Sequence, residues 1–317
     1  RVEGLDRPEP PYGYVLPAGL EASYRVAIRL MREGFRVRVF TDAARIRGEE
    51  WPKGTFGIIR ARNPQGLAER LAQLAREEGA RIVAVAGPST EAGLTFGDDD
   101  RVAALPLPRI AVVADWPVTQ DHTYGGIRAT LEGDFRLPFS PVMLETINRA
   151  DLSGYTAVVL PHAGMDVRGG PNFNAGYRGR LDLENLRRYV TGGGTLVVVH
   201  GAAAFVCEDP VLGADVDVAG WAERSEATLR AEFELGLVPD SSIMPWRPGL
   251  DEVGLPLLAG GFSSPVFAAP GSFPVLFDVK DGGGATVVAR YVDDPASVVL
   301  DGFVMEQDRP LLAGRPV

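Results

Sequence analysis

Short apolar runs that alternate with amphipathic segments between residues 109 and 199 constrain the fold of this chain more than any other feature. The apolar runs predict strands at 110–114, 139–142, 157–160 and 195–199. The segments between them predict helices near 124–133, 144–150 and 181–191. This alternation is typical of a doubly wound, mostly parallel sheet with helices on both faces. The sequence therefore predicts an α/β fold built around these four strands.

A smaller α/β unit is predicted ahead of this sheet. Its strands are expected at 14–16, 35–40, 55–59 and 82–86, and its helices at 20–33 and 64–78. The strand–helix–strand spacing predicts parallel pairing within this unit. The next segment, 87–108, contains glycines and prolines without a clear period and is interpreted as a connection. We therefore predict two domains, 1–105 and 106–317, and short apolar runs after residue 226 predict a β-rich part that completes the second.

The composition excludes several classes of protein. A formal net charge of −10 and an isoelectric point near 5.0 argue against a nucleic-acid-binding protein, because such proteins need clustered cationic side chains. No apolar run approaches the roughly 18 residues of a membrane span, so no membrane partner is expected. The single cysteine excludes an internal disulfide and a zinc site built from several thiolates. The proline-rich opening has no secretory pattern and is interpreted as a linker within a longer protein.

Polar residues follow three of the predicted strands of the second domain. Asp115 follows the first strand, His162 and Gly164 follow the third, and His200 and Gly201 follow the fourth. Ligands of doubly wound sheets bind at the carboxyl ends of the strands. These five residues are therefore the predicted ligand-binding residues.

A metal site is a second interpretation of the same strand ends. His162 and His200 could bind an ion together with Asp115, or with Asp121 and His122 of the loop after the first strand. Histidines that make ordinary structural contacts are the more common alternative. We therefore predict no metal ligand and no cofactor in this chain.

The one cysteine also has two interpretations. Cys207 lies seven residues after His200, about 10 Å along a helix if the segment continues as one. A buried, unreactive side chain is favoured because Cys207 lacks the strand-to-turn position of a nucleophile. Two other segments are interpreted structurally, 98–100 as a solvated acidic turn and 164–179 as a mobile loop over the strand ends.

Several segments resemble a known module in their order and spacing. They are 14–18, 51–55, 109–112, 151–161, 192–204 and 257–261. Together they resemble the region downstream of the peptidase domain in large bacterial zinc carboxypeptidase A-like proteins, which is a class I glutamine amidotransferase-like module. In that fold the turn after the strand carries a cysteine, whereas this chain has His200, and an imidazole cannot form the required thioester. The resemblance therefore implies a scaffold without its nucleophile and without catalytic residues.

The resemblance also implies a parent protein. The parent would be an exported metallocarboxypeptidase, with its catalytic zinc in a peptidase domain that this chain lacks. The partner of this chain would be that peptidase domain, upstream in the same polypeptide. The His-x-x-Glu zinc ligands of such a peptidase are absent here, because Gly125, Met165 and Ala203 stand three residues after the three histidines. The compartment of this chain itself stays open.

Three functions remain compatible with the sequence. The favoured one is a non-catalytic accessory module of a zinc metallocarboxypeptidase. The second is a domain that binds a small ligand, a carbohydrate or a peptide end, in the crevice between His162 and His200. The third is a cysteine amidase that uses Cys207.

Overall fold

The computed structural model divides the chain into two compact units. The first comprises the described residues up to Leu107, and the second comprises those from Pro108 onward. The described residues are 2–3, 11–118, 123–163, 176–221, 226–233, 266–268, 275–282, 284–285, 287, 289–304 and 306–316. In this described part, no helix has the length and apolar character that crossing a bilayer requires.

The first unit contains short strands and two longer helices. Its strands are β1 (Val2–Glu3), β2 (Gly13–Leu16), β3 (Arg38–Phe40), β4 (Ala44–Ile46), β5 (Glu49–Trp51), β6 (Phe56–Ile59), β7 (Ile82–Val85), β8 (Ala92–Gly93) and β9 (Val102–Ala104). Its helices are α1 (Glu21–Arg32) and α2 (Leu67–Glu77), with a 3₁₀ turn at Arg60–Arg62. A six-stranded sheet has the order β1-β7-β2-β6-β3-β9, and β5, β4 and β8 form a smaller sheet.

The predicted parallel pairing in this unit is wrong. Strand β2 lies between β6 and β7 and runs antiparallel to both, and β3 runs antiparallel to β6. The strands joined by each helix are parallel to each other, but one strand separates them, which is the split βαβ arrangement. The spacing of apolar residues reports that a helix crosses over the sheet. It does not report whether the crossover skips a strand.

The sequence pattern explains why both faces of this sheet are covered. The apolar stripes of α1 and α2, including Val26, Leu30 and Leu71, pack in one buried cluster with Tyr14 and Leu16 of β2. Val15, between those two residues, packs in a second cluster on the opposite face. Successive side chains of a strand point to opposite faces, so β2 is buried on both. The segment interpreted as a connection also contributes to the fold, since β8 and β9 lie within it.

The second unit begins with alternating strands and helices and ends in strands. Its strands are β10 (Ile110–Val113), β11 (Ser140–Val142), β12 (Ala157–Leu160), β13 (Thr195–Val198), β14 (Val216–Trp221), β15 (Glu226–Phe233), β16 (Val266–Ala268), β17 (Val275–Val279), β18 (Ala289–Tyr291) and β19 (Val299–Phe303). Its helices are α3 (Gly125–Arg128), which continues as a π-helix over Ala129–Asp134, α4 (Leu144–Arg149), α5 (Leu183–Thr191), α6 (Gly201–Val206) and α7 (Arg309–Leu312), with a 3₁₀ turn at Glu306–Asp308.

The predicted four-stranded parallel sheet is confirmed. Its order is β11-β10-β12-β13, and every neighbouring pair is parallel. The first strand along the chain, β10, therefore lies between the second and the third. The connection after β10 leads to one side of the sheet and the connection after β12 leads to the other side. In open α/β sheets the crevice at such a point binds ligands. Inward-facing residues such as Val113 and Leu160 pack with Ile147 of α4, Leu186 of α5 and Phe205 of α6 in one buried cluster.

The carboxyl-terminal part is β-rich, as the sequence predicts, and its strands pair antiparallel. Strand β14 pairs with β17, and β15 pairs with β16, β18 and β19. Strands β17, β18 and β19 coincide with predicted apolar runs. Strands β14 and β15 were not predicted, because charged residues interrupt their apolar positions. The mixed α/β class of the chain is thus established, with one parallel sheet and several antiparallel ones.

Candidate functional site

Two histidines meet at the carboxyl edge of the parallel sheet. His162 lies two residues after β12, and His200 lies two residues after the neighbouring strand β13. Their Nδ1 atoms are 3.1 Å apart, and their ring centroids are 4.7 Å apart with an interplanar angle of 69°. The third predicted residue in contact with them is Gly201, whose backbone N–H donates to His162 Nδ1 at 3.3 Å. The structure therefore brings together His162, His200 and Gly201.

The backbone of His200 has an unusual conformation. Its φ is 52° and its ψ is −113°, and α6 begins at the next residue. Positive φ is uncommon outside glycine, and a non-glycine residue in such a region carries strain of about 1–3 kcal/mol. A strained strand-to-helix turn of this kind presents the nucleophile in enzymes with a nucleophile elbow. Here the same turn presents an imidazole.

The hydrogen bonds define a protonation pattern for the histidine pair. His162 Nδ1 accepts from the Gly201 N–H and therefore carries a lone pair. For the two Nδ1 atoms to share a hydrogen bond, His200 must then be the donor. Both side chains are half-buried, and each makes further contacts.

Asp115 has a structural role at the same edge. Its Oδ1 accepts the backbone N–H of Leu144 at 2.7 Å, at the first residue of α4. A carboxylate at a helix start satisfies a backbone donor that has no partner within the helix. Among the residues that the structure describes, no three His, Cys, Asp or Glu side chains form a group that could hold a metal ion. The predicted Gly164, the candidates Asp121 and His122, and segment 257–261 lie outside the described residues.

Sequence reasoning missed Tyr177, which lies in the stretch interpreted as a mobile loop. Its side chain is fully buried, its hydroxyl donates to the Pro161 carbonyl at 2.6 Å, and its ring stacks on Phe205. Burial raises the pKa of Tyr177 well above its ordinary value, and the negative charge of Asp115 raises it further. Tyr177 therefore fixes the residue before His162. An aromatic side chain within a run of glycine and polar residues was the available signal.

Gly176 packs closely against Ala163, the residue that follows His162. A Cβ at this position would lie 2.5 Å from the Cβ of Ala163, which is too close for any other residue. Ala163 also forms an antiparallel bridge with Val118. Three segments, after β10, after β12 and before α5, therefore meet at this edge of the sheet.

A large apolar side chain lies exposed on the same edge. Trp116, which follows Asp115, is 70% exposed. Met143, which follows the neighbouring strand β11, is 61% exposed. Because Val113 and Val142 are paired in register, these side chains follow adjacent strands at similar depth. Both side chains are therefore accessible to a ligand at this edge.

The thiol of Cys207 is poorly placed for nucleophilic chemistry. Cys207 ends α6, whereas a helix lowers the pKa of a thiol at its amino-terminal end. Burial raises the pKa of Cys207, and Asp217 raises it further against an opposing effect of Lys280. Fewer thiolates are therefore present at neutral pH than for a free cysteine.

The acidic turn of the first unit, residues 98–100, forms ion pairs with two arginines. Asp99 accepts from Arg62 at 2.6 Å and pairs with Arg38 at 2.9 Å. These contacts agree with the structural interpretation of residues 98–100, since carboxylates that are paired with arginines are not arranged as calcium ligands.

His200→Gly and His200→Ala separate the backbone strain from the side-chain contacts. Both variants remove the imidazole, but only glycine adopts positive φ without strain. We expect His200→Ala to unfold at lower denaturant, by about 1–3 kcal/mol relative to His200→Gly. Chemical denaturation followed by circular dichroism measures the difference. Equal stabilities would show that this turn is not strained.

Comparison with known proteins adds no assignment. No protein-family model matches the chain, and no curated protein matches it.

Proposed function

We propose that the second unit is a doubly wound, class I glutamine amidotransferase-like module without a nucleophile, which serves as a non-catalytic accessory part of a zinc metallocarboxypeptidase. The observation that carries the proposal is the conformation of His200, with φ of 52° at a strand-to-helix turn. The position of β10 between the strands that follow it supports the same scaffold.

The chemistry of this turn supports the absence of amidotransferase activity. Transfer of an acyl group from glutamine needs a sulfur that forms a thioester, and His200 supplies nitrogen. The one thiol, Cys207, lies at the other end of α6 and has a raised pKa. Neither residue is suited to the missing role.

The accessory role rests on the resemblance of the sequence to the region downstream of a zinc carboxypeptidase A-like domain. In such a parent the zinc and the hydrolysis of peptides belong to the peptidase domain, and this module would fold against it or position its substrate. Export of the parent is part of the same proposal. A reading frame without a zinc-peptidase domain upstream of Arg1 would contradict the accessory role.

Ammonia release tests the non-catalytic part of the proposal. The purified chain is incubated with glutamine and with peptide amides, and Cys207→Ser is run beside it as the matched control. We expect both proteins to give the rate of buffer alone. Turnover that is lost in Cys207→Ser would favour the cysteine amidase, and turnover lost in His200→Ala would show that the imidazole is catalytic.

A small-ligand-binding function is the second candidate, and the exposure of Trp116 at the same edge of the sheet as the histidine pair favours it. Aromatic faces stack on carbohydrate rings, and imidazoles bind the carboxylate of a peptide end. A thermal-shift screen with sugars and short peptides tests this function. A ligand of this site should stabilise the wild type and lose its effect in Trp116→Ala.

A further inference from the structure

We propose that His162 and His200 are two ligands of one divalent transition-metal ion of the zinc or copper type. The site lies at the carboxyl edge of the parallel sheet and uses the Nδ1 atom of each ring. This inference differs from the expectation that the chain holds no metal, and it does not depend on the proposed accessory role. It rests on the distance, the ring geometry and the support of the two side chains.

The distance between the two nitrogen atoms suits a shared ion. Imidazole nitrogens bind zinc at about 2.0–2.1 Å, so two nitrogens 3.1 Å apart subtend roughly 100° at the ion. This angle lies between the right angle of square-planar geometry and the tetrahedral angle. Both geometries are common for ions that imidazoles bind.

The orientation of the rings points to the same conclusion. Two imidazoles whose lone pairs meet on an ion at that angle have centroids about 4.8 Å apart, given the usual metal–nitrogen distance. A straight N–H···N hydrogen bond of the same nitrogen separation would place the centroids about 5.4 Å apart. The observed centroid distance is 4.7 Å. This distance is shorter than a straight hydrogen bond gives and agrees with the separation expected around a shared ion.

The backbone on both sides holds the two rings in place. His200 is fixed by its turn between β13 and α6. His162 lies between Pro161, whose carbonyl accepts from Tyr177, and Ala163, which bridges to Val118. A prearranged pair of ligands binds an ion without the entropy loss of ordering two free side chains.

The hydrogen bond from Gly201 competes only weakly with an ion. Its length, 3.3 Å, lies beyond the usual upper limit of about 3.2 Å for an N–H donor. An ion would replace this long bond and also the hydrogen bond between the two Nδ1 atoms, so His200 would carry its proton on Nε2 instead of Nδ1. In the described part of the chain no third His, Cys, Asp or Glu joins the pair, so the proposal assigns two coordination positions to this chain's imidazoles.

Zinc titration of the full chain tests the proposal. The protein competes for Zn²⁺ with a chromophoric chelator, and we expect one ion per chain. His162→Ala and His200→Gly should each weaken binding by about tenfold or more, since changes even outside the ligand set cost 10–100-fold. Glycine is used at position 200 because it accepts positive φ. Cys207→Ser is the matched control for loss of a metal-binding side chain outside the pair, at the far end of α6, and we expect it to retain one site.

Pulsed electron paramagnetic resonance of the Cu²⁺-loaded wild type provides a measurement that needs no variant. With ¹⁵N-labelled histidine, we expect the signals of two coordinated imidazoles. No stoichiometric binding up to millimolar Zn²⁺, or equal binding by the wild type and both variants, would overturn the proposal. Neither result affects the ammonia-release experiment, so failure of the metal site and failure of the proposed function are distinguishable.

Discussion

Tyr177→Ala is expected to lower the free energy of unfolding of the second unit by about 4 kcal/mol, the usual range for removal of a large buried side chain. The side chain is fully buried, and its ring stacks on Phe205 with centroids 6.1 Å apart. Alanine leaves a cavity beside α6, and no new contact replaces the lost packing. Urea denaturation followed by circular dichroism measures the change.

Tyr177→Phe separates the hydroxyl from the ring. Phenylalanine keeps the packing but leaves the carbonyl of Pro161 without its donor, so we expect a loss of about 1–2 kcal/mol. Tyr124→Phe is the matched control, because the ring of Tyr124 packs edge-on against Phe139 and is only partly buried. That control should stay within about 0.5 kcal/mol of the wild type. An unchanged stability of Tyr177→Ala would show that residue 177 is not part of the core.

Asp209→Asn has the second-largest expected effect. The carboxylate is almost fully buried and accepts from Arg187 Nε at 2.8 Å and from the backbone N–H groups of Val211 and Leu212 at 2.9 and 3.0 Å. An asparagine cannot satisfy all of these donors with one oxygen. We expect a loss of about 2–3 kcal/mol at neutral pH, typical of weakening a buried charge-assisted network.

The neighbouring Glu208 offers a matched control for this change. It pairs with Arg178 on the surface, where both side chains are exposed, so Glu208→Gln should change stability by less than about 1 kcal/mol. Equal effects at positions 208 and 209 would contradict the buried network around Asp209.

The pH dependence of the Asp209 effect has a definite sign. Burial opposes ionisation of Asp209, but the hydrogen bonds from Arg187, Leu212 and Val211 outweigh it and hold the pKa below its ordinary value. A lowered pKa in the folded state stabilises the fold above the unfolded pKa of about 3.9, and this stabilisation disappears as the pH falls through the folded pKa. The difference between the wild type and Asp209→Asn should therefore shrink below pH 4.

The sequence predicts where the helices and strands of this fold lie better than it predicts which strands pair with each other. The apolar stripes of α1 and α2 and the runs of β10, β12 and β13 are local features, and the structure contains each of them. The two partners of β2, β6 and β7, lie forty or more positions away along the chain. The local sequence pattern therefore did not predict their antiparallel pairing with β2. Short strands such as β8 and β9 have too few residues to show a period.

The candidate site follows the same division. Because His162 and His200 each follow a predicted strand, the sequence placed both at the carboxyl edge of the sheet. Their contact depends in addition on β12 and β13 being neighbours. The role of Asp115 depends on α4 beginning beside it, after a strand that pairs with β10. The burial of Tyr177 results from tertiary packing, which overrides the polar composition of its surroundings. Spacing along the chain carries none of this information.

The pairing of β14 with β17 has a consequence for synthesis on the ribosome. The parallel sheet is complete once residue 198 has emerged, so it can form while the rest of the chain is still being translated. Strand β14 must wait, because Val216 pairs with Val279. During that interval β14 presents an unpaired edge, and exposed edges of nascent chains recruit other strands. Translational pausing between these two strands would therefore lengthen this exposure, and premature termination there would release chains prone to aggregation.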